Sequence, residues 1–471
     1  MSPDQRRITL ALCVIVGLSL LVVAGLTFLV SPMAEDLGLS DNQVENVLAI
    51  PSVASLMAIF IAGQIGDRLG HRRALLIASA GFILGSGVLA TASGALGVEI
   101  GLALCGGTAI ALQIVALGLL QQTVPEGRAH VSAFTTYGMV FPLAFLAFPV
   151  VTAALLEVTS WRWIPVIWAI AGVLIGAIAF FALDRNAMRR PVGEWVTPVL
   201  AGIALTAAAR SLAEMSHASP ESPQVVLGLL ISALAIGGCA AVMRRSGRAS
   251  FSLRPISSGT LRLLLIGVGL VSLVGMLTYI SIALEYLYDL TSLEAALAIV
   301  PAQAGAVVGA KFVAQWTMHR WGSLRAGRYL MFALALSMLP LLVMQPSTPA
   351  WYLVGIAAIF SGLGMAALTV LNADVMGRAP HESTGAVSAF RAAASSIGGA
   401  LGVAVLGTSV ISAVSVDGGQ GYVSAAQLDQ LAAGLRIDGV IACLIALAGW
   451  VSLTIVVRRT TEAEAKPATI S

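Results

Sequence analysis

Fourteen apolar segments follow one another along almost the whole chain, each about as long as a helix that crosses a lipid bilayer. A bilayer core requires roughly 20 apolar residues per helix. In lipid every backbone polar group must be satisfied within the protein, and long continuous apolar runs meet this demand as helices. The sequence therefore predicts an all-α membrane protein with helices at about 8–31, 43–66, 72–93, 97–122, 131–156, 162–183, 195–216, 223–243, 261–287, 293–318, 325–344, 350–376, 383–411 and 437–457.

The composition excludes several classes of protein. The chain is 58% hydrophobic and only 10% charged, whereas a soluble domain carries about 25% charged residues. The net charge of +3 is not gathered on one polar face, which argues against nucleic acid as a partner. The sequence contains no Walker A loop, zinc-protease motif or nucleophile elbow, and its five histidines are scattered. We therefore expect no enzymatic activity, no cofactor and no metal site.

Arginine is concentrated in every second connection between the predicted helices. These connections and the chain ends carry Arg6, Arg7, Arg68, Arg128, Arg185, Arg244, Arg320, Arg378, Arg458 and Arg459. The alternate connections carry acids such as Asp36 and few cations. Because cytoplasmic loops keep the excess of Lys and Arg, this pattern predicts a multi-pass protein with both termini in the cytoplasm. The arginine-rich, lysine-poor composition suggests a GC-rich bacterial genome, and the expected location is a bacterial inner membrane.

The chain divides into regions of different character. We predict an N-terminal six-helix bundle at 1–190, an inserted helix pair with a cytoplasmic linker at 191–255, a C-terminal six-helix bundle at 256–460 and a disordered tail at 461–471. The polar stretch 412–436 is expected to be external, with a short amphipathic helix at 424–435. The segments 63–73 and 315–325 form a weak internal repeat that aligns Gly70 with Gly322, and such repeats are common in secondary transporters.

The most specific local motif is GQIGDRLGHRR at 63–73. Gly63 and Gly66 allow close approach of helix backbones, and Gly70 supplies a tight turn. Asp67 is expected at the cytoplasmic end of a neighbouring helix, where its charge meets the partial positive charge of the helix or an arginine. Two further arginines, Arg72 and Arg73, are expected to anchor at the lipid headgroups. The alternative is an ordinary basic loop.

This motif resembles the signature between helices 2 and 3 of the major facilitator superfamily. Further stretches resemble the fourteen-helix drug:proton antiporter family, namely TSWRWIPVIW at 159–168, LTSLEAALAIVPAQAG at 290–305 and the segment 362–408. The resemblance covers nearly the whole chain. It implies two helical bundles around a central cavity, alternating access, and a gate formed by Gly63, Asp67, Arg68, Gly70, Arg72 and Arg73.

The chain also departs from that family in helices 1, 2, 4 and 5. Val23 stands where the family has an acidic residue, Leu102 where it has an arginine, and Pro51 where it has a tyrosine. The helix 5 signature is reduced to FPVVTA at 148–153, which keeps only the proline. The resemblance thus implies that the gate motif persists while the motifs associated with proton coupling are eroded.

Charged residues inside predicted helices are costly and require a reason. Lys311 and Arg391 are expected to face an anionic group in the cavity; the alternatives are snorkelling or an ion pair with Asp374. Glu285 is the first candidate to carry a coupling proton, and its alternative is an interfacial acid held in water. Asp289 and Glu45 are further candidates, for which a solvated acid and an acid at a helix start are the simpler interpretations. Gln113 and Tyr279 are candidates to line the substrate cavity.

The sequence therefore predicts a secondary active transporter that exports amphiphilic drugs or metabolites by proton antiport with alternating access. Its partners would be a small amphiphilic substrate, membrane lipids and protons. Two alternatives remain open. One is an uncoupled or differently coupled carrier of lipids or organic anions, and the other is a scaffold or sensor that transports nothing.

Overall fold

A computed structural model describes residues 1–124, 126–183, 195–215, 221–246, 258–275, 277–288, 290, 292–414 and 425–465. All regular elements in these ranges are helical. The helices in the first half of the chain are α1 Pro3–Ser19, α2 Leu21–Leu37, α3 Asp41–Leu69, α4 His71–Ala90, α5 Ala95–Thr123, α6 Gly127–Val158, α7 Trp163–Ala182, α8 Val196–Glu214 and α9 Pro223–Ser246.

The second half continues the same pattern, with one π-helical and two 3₁₀ segments between α-helices. Its elements are α10 Gly259–Leu273, α11 Leu277–Leu287, α12 Ser292–Val308, the π-helix Gly309–Val313, α13 Ala314–Trp321, α14 Ser323–Met338, the 3₁₀ segment Leu339–Val343, α15 Ala350–Gly377, the 3₁₀ turn His381–Ser383, α16 Thr384–Val414 and α17 Ala425–Ala465.

Within these ranges, 13 helical stretches are long and apolar enough to cross a membrane. The ninth predicted helix, 261–287, is instead divided into α10 and α11, with Val274 and Gly275 outside both helices. Glycine disfavours a helix interior, which accounts for a break that the hydropathy alone did not reveal. The all-helical membrane class is therefore confirmed, whereas the number of fourteen stays a prediction.

Both ends of the chain differ from the sequence prediction. The first helical stretch runs from Pro3 to Leu37 rather than 8–31, because a Ser2–Gln5 capping box starts α1 early and Gly38 ends α2 with a φ of 60°. The segment 424–435 is not a separate amphipathic helix, since α17 is continuous from Ala425. The same helix extends to Ala465, into the predicted tail 461–471.

The described residues form two compact units. The first contains Met1–Ala208, Leu229–Pro255 and Ala379–Ala393, and the second contains Ala209–Gly228, Ile256–Arg378 and Ala394–Ser471. The segment 191–255, predicted as an inserted pair, is shared between the two units. The two-bundle layout with an inserted pair stays a prediction.

In the first unit, α5 packs against α1, α3 and α4, and α4 also packs against α7. A polar cluster fastens one end of this unit. Arg162 pairs with Asp36 at 3.0 Å and donates to the carbonyl oxygens of Ala90 and Ala92. Trp161 Nε1 donates to the same Asp36 carboxylate at 3.0 Å. The tryptophan-arginine motif before α7 therefore links α7 to the ends of α2 and α4.

In the second unit, α15 packs against α12 and α14, and α17 packs against α10 and α14. Glycines allow the closest of these contacts, because a Cβ on Gly305 or Gly309 would overlap the backbone of α15. Lys311 lies in the π-helix Gly309–Val313. Single π-helical turns within α-helices occur frequently at functional sites. This position is therefore compatible with the predicted role of Lys311 in the cavity.

The internal repeat is visible in the backbone. Gly70 has φ 85° and ψ 144°, and Gly322 has φ 75° and ψ 159°. Each glycine is the single residue between two helices, α3 and α4 in one case and α13 and α14 in the other. A positive φ of this kind is accessible to glycine at low cost, which explains why both segments carry glycine at this position.

Candidate functional site

The Asp67 carboxylate binds the first turn of a distant helix. Its Oδ1 accepts a hydrogen bond from the Gly385 N–H and its Oδ2 accepts one from the Ala386 N–H, both at 2.8 Å. The first N–H groups of a helix have no partner within the helix and carry partial positive charge. Asp67 therefore caps α16, which is one of the two environments that the sequence motif predicted. We call this pair of hydrogen bonds the Asp67 contact.

Two glycines bring the backbones of α3 and α16 close enough for the Asp67 contact. A Cβ on Gly63 would lie 2.6 Å from the Gly385 carbonyl oxygen and 2.9 Å from the Ala389 Cβ. A Cβ on Gly385 would overlap the Gly63 carbonyl oxygen and lie 2.8 Å from Asp67 Oδ1. Any side chain at either position must therefore push the two helices apart.

Other polar residues surround the start of α16. Gln122 Nε2 donates to the His381 carbonyl at 3.0 Å and to the Thr384 hydroxyl at 3.1 Å. His71 Nε2 lies 3.5 Å from the same hydroxyl. Gly118 makes room for this imidazole, since a Cβ there would lie 2.8 Å from His71 Nε2. The start of α16 is thus held by side chains from α3, α4 and α5.

The arginines of the motif have different environments. Arg68 is buried, and Arg73 is exposed. Arg72 donates to the carbonyls of Ala179 at 3.2 Å and Phe180 at 2.7 Å, and its guanidinium lies 4.8 Å from the Phe180 ring centroid. Arg72 therefore caps the C-terminus of α7, and its anchoring at the headgroups stays a prediction.

Two predicted substrate residues, Gln113 and Arg391, are brought near one another by Tyr137. The Tyr137 hydroxyl donates to the Gln113 carbonyl oxygen at 3.3 Å, and Tyr137 interacts electrostatically with Arg391. Gln113 Nε2 donates to Ser19 Oγ at 3.4 Å. Each of these side chains is buried. Helices α1, α5, α6 and α16 therefore contribute to one buried polar cluster in the first unit.

The remaining predicted residues are dispersed. Lys311 is half-buried and belongs to the second unit, whereas Arg391 belongs to the first. Glu285 is half-buried on α11, and Glu45 is exposed on α3. Asp289 and the side chain of Tyr279 lie outside the described residues. Asp374, which we considered as a partner for Lys311 or Arg391, hydrogen-bonds with the Ser323 side chain at the start of α14.

Asp438 and Ser388 are among the buried polar residues that sequence reasoning missed. Asp438 is fully buried, and it was overlooked because the last helix was predicted to begin at 437, beside this residue. Ser388 is also fully buried, one helical turn before Arg391. Its spacing of three residues from an intramembrane arginine was the available signal, since such residues share a helix face.

Comparison with known proteins adds the family. The profile of the Major Facilitator Superfamily matches residues 12–403. A puromycin resistance protein of Streptomyces alboniger is 28% identical over 426 residues, which cover 86% of this chain and 82% of the relative. The tetracenomycin C resistance and export protein of Streptomyces glaucescens is 26% identical over 383 residues, covering 77% of this chain and 68% of that protein.

A solved structure supports the same assignment at the level of the fold. The crystal structure of the human organic anion transporter MFSD10 matches with a TM-score of 0.65 and 16% identity, covering 96% of this chain and 100% of that one. The prediction of a multi-pass membrane transporter rather than an enzyme is confirmed by the family and its relatives. The chain belongs to the Major Facilitator Superfamily.

Proposed function

We propose that this chain is a secondary active transporter of a bacterial inner membrane that exports amphiphilic drugs or metabolites by alternating access. The relatives named for puromycin resistance and for tetracenomycin C resistance and export support this substrate class. The observation that carries the proposal is the Asp67 contact, because it joins two helices 318 residues apart through bonds that a small movement would break.

In this proposal the Asp67 contact is one state of a gate. A hydrogen bond to a charged group contributes about 1.5–3 kcal/mol, so two of them are strong enough to hold a closed end and weak enough to be broken during a transport cycle. The Asp67 contact lies where α3 ends and α4 begins, next to Arg68, Arg72 and Arg73. Arginine-rich loops face the cytoplasm, so the Asp67 contact would close the cytoplasmic end.

The orientation has its own test. Both termini are expected in the cytoplasm, because Arg6, Arg7, Arg458 and Arg459 lie near the chain ends of the first and last membrane helices. Green fluorescent protein fused to either terminus should fluoresce, whereas alkaline phosphatase fused there should be inactive, since it folds only outside the cytoplasm. Active phosphatase at one terminus alone would contradict this topology.

Proton antiport requires an acid that binds and releases a proton within the transporter. We propose Asp438 as a proton-carrying residue, in addition to the candidates Glu285, Asp289 and Glu45. A fully buried carboxylate in a membrane helix is costly as a charge and is typical of proton relays. Glu285 is half-buried and Glu45 is exposed, so burial favours Asp438. The Asp67 carboxylate is committed to its two hydrogen bonds with α16.

Coupling is measured in sealed proteoliposomes with a pH dye inside and an imposed pH gradient. Addition of rhodamine 123 or puromycin should dissipate the gradient in the wild type. Asp438→Asn should lower gradient-driven transport at least about tenfold while downhill exchange of the dye persists, because only the proton step is lost. The exposed Asp429→Asn on the same helix is the matched control and should behave as wild type.

The outcomes separate the alternatives. Transport without proton movement would favour an uncoupled carrier. If the protein transports neither rhodamine 123 nor puromycin nor an anionic dye such as fluorescein, the result would favour a scaffold or sensor. It would overturn the proposed function. If Asp438→Asn still couples proton movement to transport as the wild type does, Asp438 does not carry the proton. Glu285 would then be the first candidate.

A further inference from the structure

Two buried donors on one face of α16 make no hydrogen bond with the described part of the chain. Arg391 is 9% exposed, and its Nε has no acceptor among the described residues. Ser388 is 0% exposed, and its hydroxyl likewise has no partner there. Residues three apart lie on the same face of a helix. The Arg391 Nε and the Ser388 hydroxyl therefore form a buried patch of unused donors.

The groups that face Arg391 do not neutralise it. The titratable group with which it interacts is the Tyr137 phenol, whose hydroxyl already donates to the Gln113 carbonyl oxygen at 3.3 Å. Among the described residues Arg391 takes part in no ion pair. An arginine side chain stays protonated in proteins, so it cannot escape its burial by losing a proton.

A buried charge without a counterion is costly, by several kcal/mol per ion. Such a group persists where a ligand supplies the missing charge and acceptors during function. The guanidinium fork matches the two oxygens of a carboxylate or the oxygens of a sulfonate or phosphate. A serine hydroxyl one turn away adds a further donor to the same anion.

One pair of aromatic rings lies next to this patch. Tyr137, which interacts with Arg391, meets Phe141 with ring centroids 5.8 Å apart. Rings next to a single cationic centre are suited to a ligand with an apolar, aromatic body and one anionic group.

We propose that Ser388 and Arg391 form a subsite for the anionic group of an aromatic amphiphile, so that the substrates of this transporter include organic anions. This inference rests on the proposed function and narrows its substrate class. The same oxygen-anion chemistry could come from a transported carboxylate or from a phospholipid headgroup, and the experiment distinguishes the two sources.

Binding is measured by fluorescence anisotropy with two dyes that share the xanthene ring system, anionic fluorescein and cationic rhodamine 123. The full-length protein is held in nanodiscs of phosphatidylcholine. Arg391→Gln should weaken fluorescein binding at least about tenfold and leave rhodamine 123 binding unchanged, because only the anion loses a charge-assisted bond. Ser388→Ala should weaken fluorescein binding by a smaller factor, and Arg391→Lys should retain part of it.

Matched controls exclude general effects of charge removal and of hydroxyl loss. Arg436→Gln removes an exposed arginine, and Ser337→Ala removes a serine whose hydroxyl is satisfied within its own helix. Both should bind fluorescein as the wild type does. Adding phosphatidylglycerol to the nanodiscs should leave fluorescein binding unchanged if the anion is a substrate. Competition by phosphatidylglycerol would assign the subsite to a lipid headgroup and overturn the substrate assignment.

Thermal unfolding separates a ligand site from a structural role. Without ligand, Arg391→Gln should melt at the wild-type temperature or above it, since an uncompensated buried charge has been removed. Fluorescein should raise the melting temperature of the wild type and not that of Arg391→Gln. A clear fall in the melting temperature of ligand-free Arg391→Gln, or equal fluorescein binding by both proteins, would overturn the inference. Neither result would bear on whether rhodamine 123 is exported, so the proposed function is tested separately.

Discussion

Replacing Asp67 with asparagine is expected to lower the initial rate of energised export at least about tenfold, and replacing it with alanine should lower it further. The carboxylate accepts two hydrogen bonds of 2.8 Å from the start of α16 and faces the positive end of that helix. Asparagine offers one acceptor oxygen and no charge, and alanine offers neither. Each charged hydrogen bond contributes about 1.5–3 kcal/mol, so the closed state loses most of its population.

The rate is measured as rhodamine 123 efflux from proteoliposomes, with Asp4→Asn as a control at an exposed acid near the N-terminus. Hydrogen–deuterium exchange gives a direct reading of the contact. Peptides that contain Gly385 and Ala386 should exchange faster in Asp67→Asn, because their amides lose the carboxylate acceptor. Wild-type efflux together with unchanged exchange would show that the Asp67 contact does not act as a gate.

Replacing Gly63 with alanine should impair export to a similar extent while leaving the carboxylate in place. The added Cβ would lie 2.6 Å from the Gly385 carbonyl oxygen and 2.9 Å from the Ala389 Cβ, so α16 must move away. Overpacking of this kind costs about 1–3 kcal/mol, which corresponds to a 5–150-fold change in the ratio of two states. We expect a slower initial rate of efflux and faster amide exchange at the start of α16.

The matched control is Gly87→Ala. Gly87 lies within α4, and a Cβ there would meet nothing within 4 Å. That substitution should therefore leave export unchanged and stabilise α4 slightly, since alanine favours a helix. If Gly63→Ala exported at the rate of Gly87→Ala, the close approach of α3 and α16 would not be needed for transport.

The sequence predicted the local half of the Asp67 contact and could not predict the other half. The spacing of Gly63, Asp67 and Gly70 indicated a carboxylate at a helix end, and that is where Asp67 lies. Its partner, the first turn of α16, is 318 residues away and carries no acidic or basic group that would mark it in the sequence. Backbone N–H groups are present in every residue, so only the fold identifies those left unpaired.

The same distinction applies to the charged residues. The sequence singled out Arg391 because a membrane helix rarely contains arginine, but its burial, its contact with Tyr137 and the unused Ser388 hydroxyl depend on how four helices pack. Hydropathy located the membrane helices and failed where polar residues continue a helix beyond its apolar part. For this reason the sequence placed the start of α17 at 437 rather than at Ala425, and it did not reveal that Asp438 is buried.

The one-residue joints at Gly70 and Gly322 limit how the protein moves. With a single residue between α3 and α4, and again between α13 and α14, neither pair of helices has slack chain at that end. Each pair should therefore move as one stiff hairpin. A displacement of one helix is passed to the other helix of the same pair, because no flexible loop between them absorbs it. A longer, glycine-rich connection inserted after Gly70 should therefore uncouple the movement of α3 from that of α4. It should slow transport even though every side chain of the motif is kept.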